Sequence, residues 1–503
     1  SMASATEYHL AIDQNIAQVA AWLRSLSDGF VILDSADVYA KVPGSVDVAH
    51  VGTGTLNMDA NDSGYAIKGY HVGLNGKNYA GDLPDTKTAF SWSEPEVDTL
   101  LKTPLHAVHQ ELGGKMAEFA GYNMPLWYDK VLTEHMAVRE GVGIFDVTHM
   151  GVFEATGAGA EAFLNAVTTN DVTRLKVGSS HYTFLLDVDG IPHDDLLIYR
   201  RGDEHFMLVV NASNNDKNWA WLTGIKDDTI MIDDALPGRT LRGADFELRD
   251  LRAESSGADR RVDIALQGPK SRDILMSLTD DAATKSTIKK MIWGSVRTVT
   301  LGDFDLILSR TGYTGERIAY EVFPHPDQAA ALFKTLIEAG ATPCGLAARD
   351  SLRIEAGLPL YGHELAGDLN MNPADAGMGN YVKLHKPFFI GKTAFIQHEI
   401  NRDKQLIRFR MDNKGARPAH QGDPLVDGRG RVVGLVTSCS VDSDGYQLGH
   451  AYIKREFRFR GTALSVFAGS ARAKVKSISQ TKIGDKVTMP EPVKVISRFP
   501  KRK

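Results

Sequence analysis

Apolar positions recur at helical spacing in three stretches of the chain. Ile12, Ile16, Val19, Leu23 and Leu26 predict a first helix, with Gly29 as its C-cap and Trp22 close to its apolar face as a core residue. Leu332, Phe333, Leu336 and Ile337 predict a second, stopped by Gly340. A third follows Gly345, carries Arg349 and Arg353 one turn apart on the same face, and ends at Gly357. Elsewhere the apolar runs are short, as strands require: Phe30–Leu33, Leu196–Tyr199, Phe206–Val210 and Phe304–Leu308. Beyond residue 400 the strands come in series, Leu406–Phe409, Val432–Val436, His450–Ile453 and Ala463–Phe467, separated by Gly- and Asp-rich turns. That series predicts a small antiparallel barrel or sandwich.

The pattern divides the chain into four parts. Residues 1–102 read as a small α+β extension, with loops over the Gly-, Asp- and Asn-rich stretch 43–86. Residues 103–400 alternate helices with strands, and 401–485 form the β domain. Residues 486–503 hold three prolines, end in Lys501-Arg502-Lys503 and read as a solvated tail.

Composition narrows the class. A chain of 503 residues holds several domains. Its net charge of −6 offers no global basic field for nucleic acid or anionic lipid. Cys344 and Cys439 are the only cysteines, too few for a disulfide framework or a cysteine-based zinc site. No apolar run approaches a membrane span, and the N-terminus lacks the order of a signal peptide. The expected location is the cytoplasm, or the mitochondrial matrix if a targeting segment has been removed. No GxGxxG or GxxxxGK[ST] run supports a nucleotide fold.

Five segments carry candidate chemistry. Arg310-Thr311-Gly312-Tyr313-Thr314-Gly315-Glu316 follows a strand, and its glycines let backbone and a flat aromatic approach a ligand, or simply make a tight turn. Asp194-Asp195 enter an apolar strand, whose neighbours face opposite sides. An inward carboxylate there needs a polar partner or ligand, since burial alone raises its pKa. Phe119–Tyr128 and Gly143–Gly151 are rich in aromatics and methionine, and suit a wall for a flat heterocycle or plain core. In the helix after Gly345, Arg349, Arg353 and Glu355 pair among themselves or recognise a carboxylate. His149 and His193 read as ordinary core or loop histidines.

Taken together, the chain resembles the folate-dependent aminomethyltransferases of the glycine cleavage system, the T-protein family. The resemblance spans about 103–480 in order. It rests on Thr103-Pro104-Leu105, Phe119-Ala120-Gly121, Phe145–Met150, Thr169-Asn170-Asp171, Asp194-Asp195, Val210-Asn211-Ala212, Leu266–Pro269, the Tyr313 loop, the Arg349 helix, Leu360-Tyr361-Gly362 and Phe389–Lys392. It implies a three-domain clover-leaf around a central folate channel. It implies transfer of the methylene of an aminomethyl group, carried on the lipoyl arm of a partner H-protein, to tetrahydrofolate. By resemblance Asp195 is the catalytic carboxylate beside the reacting folate nitrogens, Glu321 contacts the pterin and Arg349 the folate. Tyr313, Tyr182 and Met150 line the channel, and Asn211 lies on the substrate side.

Three features depart from the family pattern. After the Tyr-Thr step the run Gly315-Glu316-Arg317-Ile318-Ala319-Tyr320-Glu321 is one residue longer, which leaves Glu316 as a second candidate for the pterin contact. Asp375 stands where the family has glutamate, and residues 1–102 have no counterpart in ordinary members. The altered loop and the extension motivate a second reading, a tetrahydrofolate-dependent demethylase of a small O-, N- or S-methyl compound. A non-enzymatic folate-binding relative is a third. It ranks last, because its cysteine-containing step is Arg310-Thr311-Gly312-Tyr313 here.

Overall fold

The computed structural model describes residues 87–94, 99–234, 237–241, 243–468, 482 and 489–500, with residues 19, 22 and 23. The helix predicted over Ile12–Leu26 is described only at Val19, Trp22 and Leu23, where it is helical and half-buried. The Phe30–Leu33 strand and the 43–86 loops lie outside the described residues. The remainder is α+β.

Two sheets share the middle of the chain. Strand Gly143–Asp146 opens a six-stranded sheet that the chain then leaves and rejoins at Ile264–Gln267. The sheet is completed by Ala319–Phe323, Phe304–Ser309 and Val296–Leu301, with the short parallel strand Thr342–Pro343 at the other edge. Between departure and return lies a five-stranded antiparallel sheet, ordered Ser179–Leu186, Pro192–Gly202, His205–Val210, Gly151–Thr156, Glu247–Asp250. Each sheet buries one face under helices. Ile264, Leu266, Tyr320 and Val322 pack with Leu332, Phe333 and Leu336 of helix Pro326–Glu338. Ile198, Phe206 and Leu208 pack with Trp221, Leu222 and Ile225 of helix Asn215–Lys226. The opposite faces meet each other through Val152, Tyr199, Val209, Ile307 and Phe323. Alternation along Ala319–Phe323 therefore turns Glu321 and Phe323 toward the junction of the two sheets.

The C-terminal unit is a closed six-stranded barrel ordered Lys404–Met411, Gln447–Lys454, Val432–Val441, Pro424–Val426, Ala463–Val466, Glu491–Ile496. The last strand corrects the expectation of a solvated tail. It pairs with both Lys404–Met411 and Ala463–Val466, burying Val493 and Val495 and exposing Lys494. Closure removes the free edge that a five-stranded sheet would present. Helix Leu346–Ala356 joins the barrel to the sheets, and Gly357 ends it in the left-handed conformation at φ +79. Among the described residues no helix is long and apolar enough to cross a membrane, and no group of His, Cys, Asp and Glu could hold a metal ion.

Candidate functional site

Asp194 and Asp195 lie on strand Pro192–Gly202, and both find partners inside the protein. Asp194 is fully buried and accepts four N–H bonds: from Asn211 N (2.9 Å) and Nδ2 (2.7 Å), Asn214 Nδ2 (2.7 Å) and Asn218 Nδ2 (2.6 Å). Burial pushes its pKa up, while these donors and the Lys217 ammonium oppose the rise. Four N–H donors and a nearby cation favour the anion, so the pair's charge belongs on Asp194. Asp195 is half-buried and accepts from Tyr182 Oη (2.8 Å) and Asn211 Nδ2 (2.9 Å). Burial first, and the Asp194 charge second, raise its carboxyl to about 7. One carboxylate is thus held charged and its neighbour is poised near neutrality, which suits a group that exchanges a proton.

The cradle of Asp194 was hidden in a polar run. Asn211, Asn214 and Asn218, with Lys217, are spaced three and four apart, which places them together once the run turns helical. Lys217 Nζ donates to Asn214 Oδ1 (2.9 Å) and Tyr361 Oη (2.9 Å), and burial lowers its pKa.

The Tyr313 loop faces this group. Thr314 Oγ1 donates to Gln267 Oε1 (2.9 Å), Thr311 Oγ1 to Glu321 Oε2, and Tyr313 Oη to the carbonyl of Pro359. Gly312 is required by close approach: a Cβ there would lie 2.1 Å from Gln267 Oε1. The guanidinium of Arg349 lies 5.2 Å from the Tyr313 ring centroid and makes no hydrogen bond or ion pair among the described residues. Its helix neighbours are spoken for. Arg353, 1% exposed, binds Glu364 (2.7 Å), Asp350 (2.8 Å) and Ser438 Oγ (2.7 Å), and its charge holds Glu364 well below the usual carboxylate range despite burial. Glu355 binds Arg139 (2.7 Å) and His135 (3.0 Å). Of the four charged residues on this helix, Arg349, Asp350, Arg353 and Glu355, only Arg349 has no ion pair among the described residues.

Glu321 sits opposite Ser309, 9% exposed, and accepts from Tyr199 Oη (2.9 Å) as well as Thr311. Strand Ala319–Phe323 pairs with both of its neighbours without a bulge. Glu316 is occupied elsewhere, bound to Arg139 at 2.6 Å. Asp263, which the sequence reading passed over, lies beside Ile264 on the same face as Glu321. It is 1% exposed, its Oδ1 has no hydrogen bond among the described residues, and burial followed by the Glu321 charge raises its pKa well above the ordinary value.

Met150 is half-buried where the two sheets meet the Arg349 helix. Tyr182 presents ring edges to Phe184 and Tyr381, each 5.0 Å away. The residues predicted to form one site, Met150, Tyr182, Asp195, Asn211, Tyr313, Glu321 and Arg349, thus converge where both sheets and the connecting helix meet. His149 is buried against Phe119 and Tyr122, and burial lowers its pKa to about 4, so it is a neutral core histidine. Asp375 is fully buried, holding Asn372 N (3.0 Å), Tyr452 Oη (3.1 Å) and His398 (2.8 Å). Just beyond the C-terminal strand, Arg498 reaches back to donate to the carbonyls of Gly357 and Ala376 (2.7 Å).

Residues 105–386 match the family described as the GCVT N-terminal domain. An aminomethyltransferase of Chloroherpeton thalassium is 40% identical over 361 residues, 71% of this chain and 91% of the relative. One from Alkaliphilus oremlandii is 36% identical over 394 residues, covering 76% and 97%. The crystal structure of glycine cleavage system aminomethyltransferase T from Bartonella henselae superposes with a TM-score of 0.65 at 27% identity, covering 79% of this chain and 97% of that one.

Proposed function

The chain belongs to the glycine cleavage T-protein family of aminomethyltransferases, and on that premise we propose that Asp195 is its catalytic carboxylate and tetrahydrofolate its acceptor. The donor is the aminomethyl group on the lipoyl arm of a partner H-protein. In the net reaction the methylene leaves nitrogen and sulfur and bridges two folate nitrogens. The two protons those nitrogens lose go to the departing ammonia and thiol. The proton balance requires a group beside the folate nitrogens that can take a proton and give it back near pH 7.

Asp195 is that group. The observation that carries the reading is the placement of its carboxyl, oriented by Tyr182 Oη and Asn211 Nδ2 next to Asp194, with burial and the Asp194 charge raising it to about 7. Its anion stabilises the positive charge that develops on an attacking amine and then accepts the proton. Glu321, fixed by Tyr199, presents an acceptor to the N–H groups of a pterin. Arg349, its guanidinium 5.2 Å from the Tyr313 ring centroid and without a hydrogen bond or ion pair among the described residues, is available to an acceptor or anionic group of folate. Tyr182, Tyr313 and Met150 supply apolar walls. In the loop that motivated a demethylase, Glu316 is bound by Arg139, while Glu321 is held by Tyr199 and Thr311, so no contact there favours that reading.

The test supplies aminomethylated H-protein and tetrahydrofolate. Ammonia and 5,10-methylenetetrahydrofolate are the expected products, with turnover lost in Asp195→Asn. No ammonia, together with 5-methyltetrahydrofolate formed from a methylated metabolite, overturns the assignment.

A further inference from the structure

The segment 87–94 lies ahead of the family-matched region and is tied to the five-stranded domain. Thr88 bridges Ile230, and its carbonyl accepts from Met231 N (2.9 Å). Lys87 Nζ binds Asp228 and the carbonyl of Arg239 (2.6 Å). These anchors set Phe90 edge-on to two rings, Trp221 at 5.0 Å and His193 at 5.3 Å, which themselves lie 4.4 Å apart.

Both rings are one step from the carboxylate pair. His193 precedes Asp194 on the strand, and its buried Nε2 has no hydrogen-bond partner among the described residues. Trp221 is on helix Asn215–Lys226, one turn beyond Asn218, a donor to Asp194. The contacts of Phe90 with Trp221 and His193 thus add packing to the Asn218–Asp194 hydrogen bond that already ties that strand to that helix, while His193 Nε2 contributes no hydrogen bond among the described residues. At the end of the same segment, the charge of Glu94 acts on both Lys217 and Tyr361.

We infer that Phe90 is a positioning residue for the transfer reaction: packed from the N-terminal extension against both His193 and Trp221, it holds strand Pro192–Gly202 against helix Asn215–Lys226, and so holds Asp194 in its asparagine cradle and Asp195 beside it. The extension is then part of the active architecture of this chain. The inference rests on the assignment of Asp195 above.

Removing the ring uncovers the His193–Trp221 contact where strand and helix meet and loosens it. Water reaches the carboxylates, and burial, the largest cause of the raised Asp195 value, weakens. The titratable groups around Asp195 are Asp194 on its own strand, Tyr182 on the neighbouring strand, Tyr313 on the facing loop, Lys217 on the helix and Tyr361 beside Lys217. None of them is altered by the substitution, so a change in the pH profile reports geometry.

The experiment measures kcat against pH for ammonia release in full-length wild type, Phe90→Ala, Phe90→Leu and Asp195→Asn. Wild type should lose half its activity near pH 7 on the acid side. In Phe90→Ala, kcat should fall roughly 10- to 100-fold, as for a displaced catalytic group. Its acid limb should move down by about one pH unit, toward ordinary carboxylates. Phe90→Leu keeps most of the volume and should fold, with a smaller shift in the same direction; it carries the test if the alanine variant does not fold. A variant that loses only stability would yield less folded enzyme with an unmoved limb, and that result overturns the inference. So does a wild-type profile in the folded Phe90 variants while Asp195→Asn is inactive. Full turnover in Asp195→Asn overturns the underlying assignment instead.

Discussion

Asp195→Asn should stabilise the protein at alkaline pH while abolishing its turnover. In the folded state the carboxyl is raised from 3.8 to about 7. A raised acid contributes stability that is fully present below its unfolded value and is lost as pH rises through the folded one. At about 1.4 kcal/mol per pH unit, ionised Asp195 costs the fold about 4 kcal/mol above pH 7. Asparagine does not ionise, so it escapes this cost. It also presents an N–H to a site built of donors, Tyr182 Oη and Asn211 Nδ2, and leaving one of them unmet costs about 1–3 kcal/mol. The variant is therefore expected to be less stable than wild type near pH 4.5 and more stable by about 1–3 kcal/mol at pH 8, with the difference changing sign between. Thermal melts of both proteins across that range check this, because the difference in Tm at each pH cancels the titration of shared groups. Turnover at pH 8 should fall by roughly 100- to 10,000-fold, the usual effect of losing a general base. A Tm difference that is the same at pH 4.5 and pH 8 would refute the electrostatic account, and unchanged turnover would remove Asp195 from the chemistry.

Arg349→Ala should raise the folate Kd by about 10- to 100-fold, the loss of charge-assisted hydrogen bonds, with little change in Tm. Arg353→Ala should do the reverse and cost about 3–5 kcal/mol of stability, because it strands buried Glu364 without its cation; equal behaviour of the two variants in binding and melting experiments would contradict the division of roles. Glu321→Gln should weaken folate binding about tenfold or more, whereas Glu316→Gln, which loosens only the half-exposed pair with Arg139, should leave it unchanged. Gly312→Ala should cost about 1–3 kcal/mol by forcing Gln267 aside, and should displace Tyr313 enough to weaken folate binding; calorimetry of binding and a melt read both effects.

Where the signal was local, the sequence carried it. Helix Leu346–Ala356 is bracketed by Gly345 and Gly357, and strand Phe304–Ser309 is a short, mostly apolar run, so each could be read from its own residues. Strand Glu491–Ile496 alternates Val493, Lys494 and Val495 correctly, yet Pro490 and Pro492 argue against a strand, and only pairing with two strands distant in sequence, Lys404–Met411 and Ala463–Val466, overrides them. The Asp194–Asp195 pair was legible as an anomaly, two charges entering an apolar strand. Its resolution was not, because the asparagines that satisfy Asp194 read as any polar helix face. Asp263 was invisible for a similar reason: a single acid before an apolar strand is ordinary until the strand beside it brings Glu321 to the same face.

The barrel's closing strand fixes the order in which this chain can mature on the ribosome. Residues 404–411 wait for residues 491–496, and the carbonyls of Gly357 and Ala376 wait for Arg498. Until those last residues emerge, the nascent barrel carries an open edge of the kind that recruits other chains. A product cut short before that strand would lack barrel closure and the Arg498 contacts beside the Arg349 helix together, so premature termination removes both instead of releasing a half-competent enzyme.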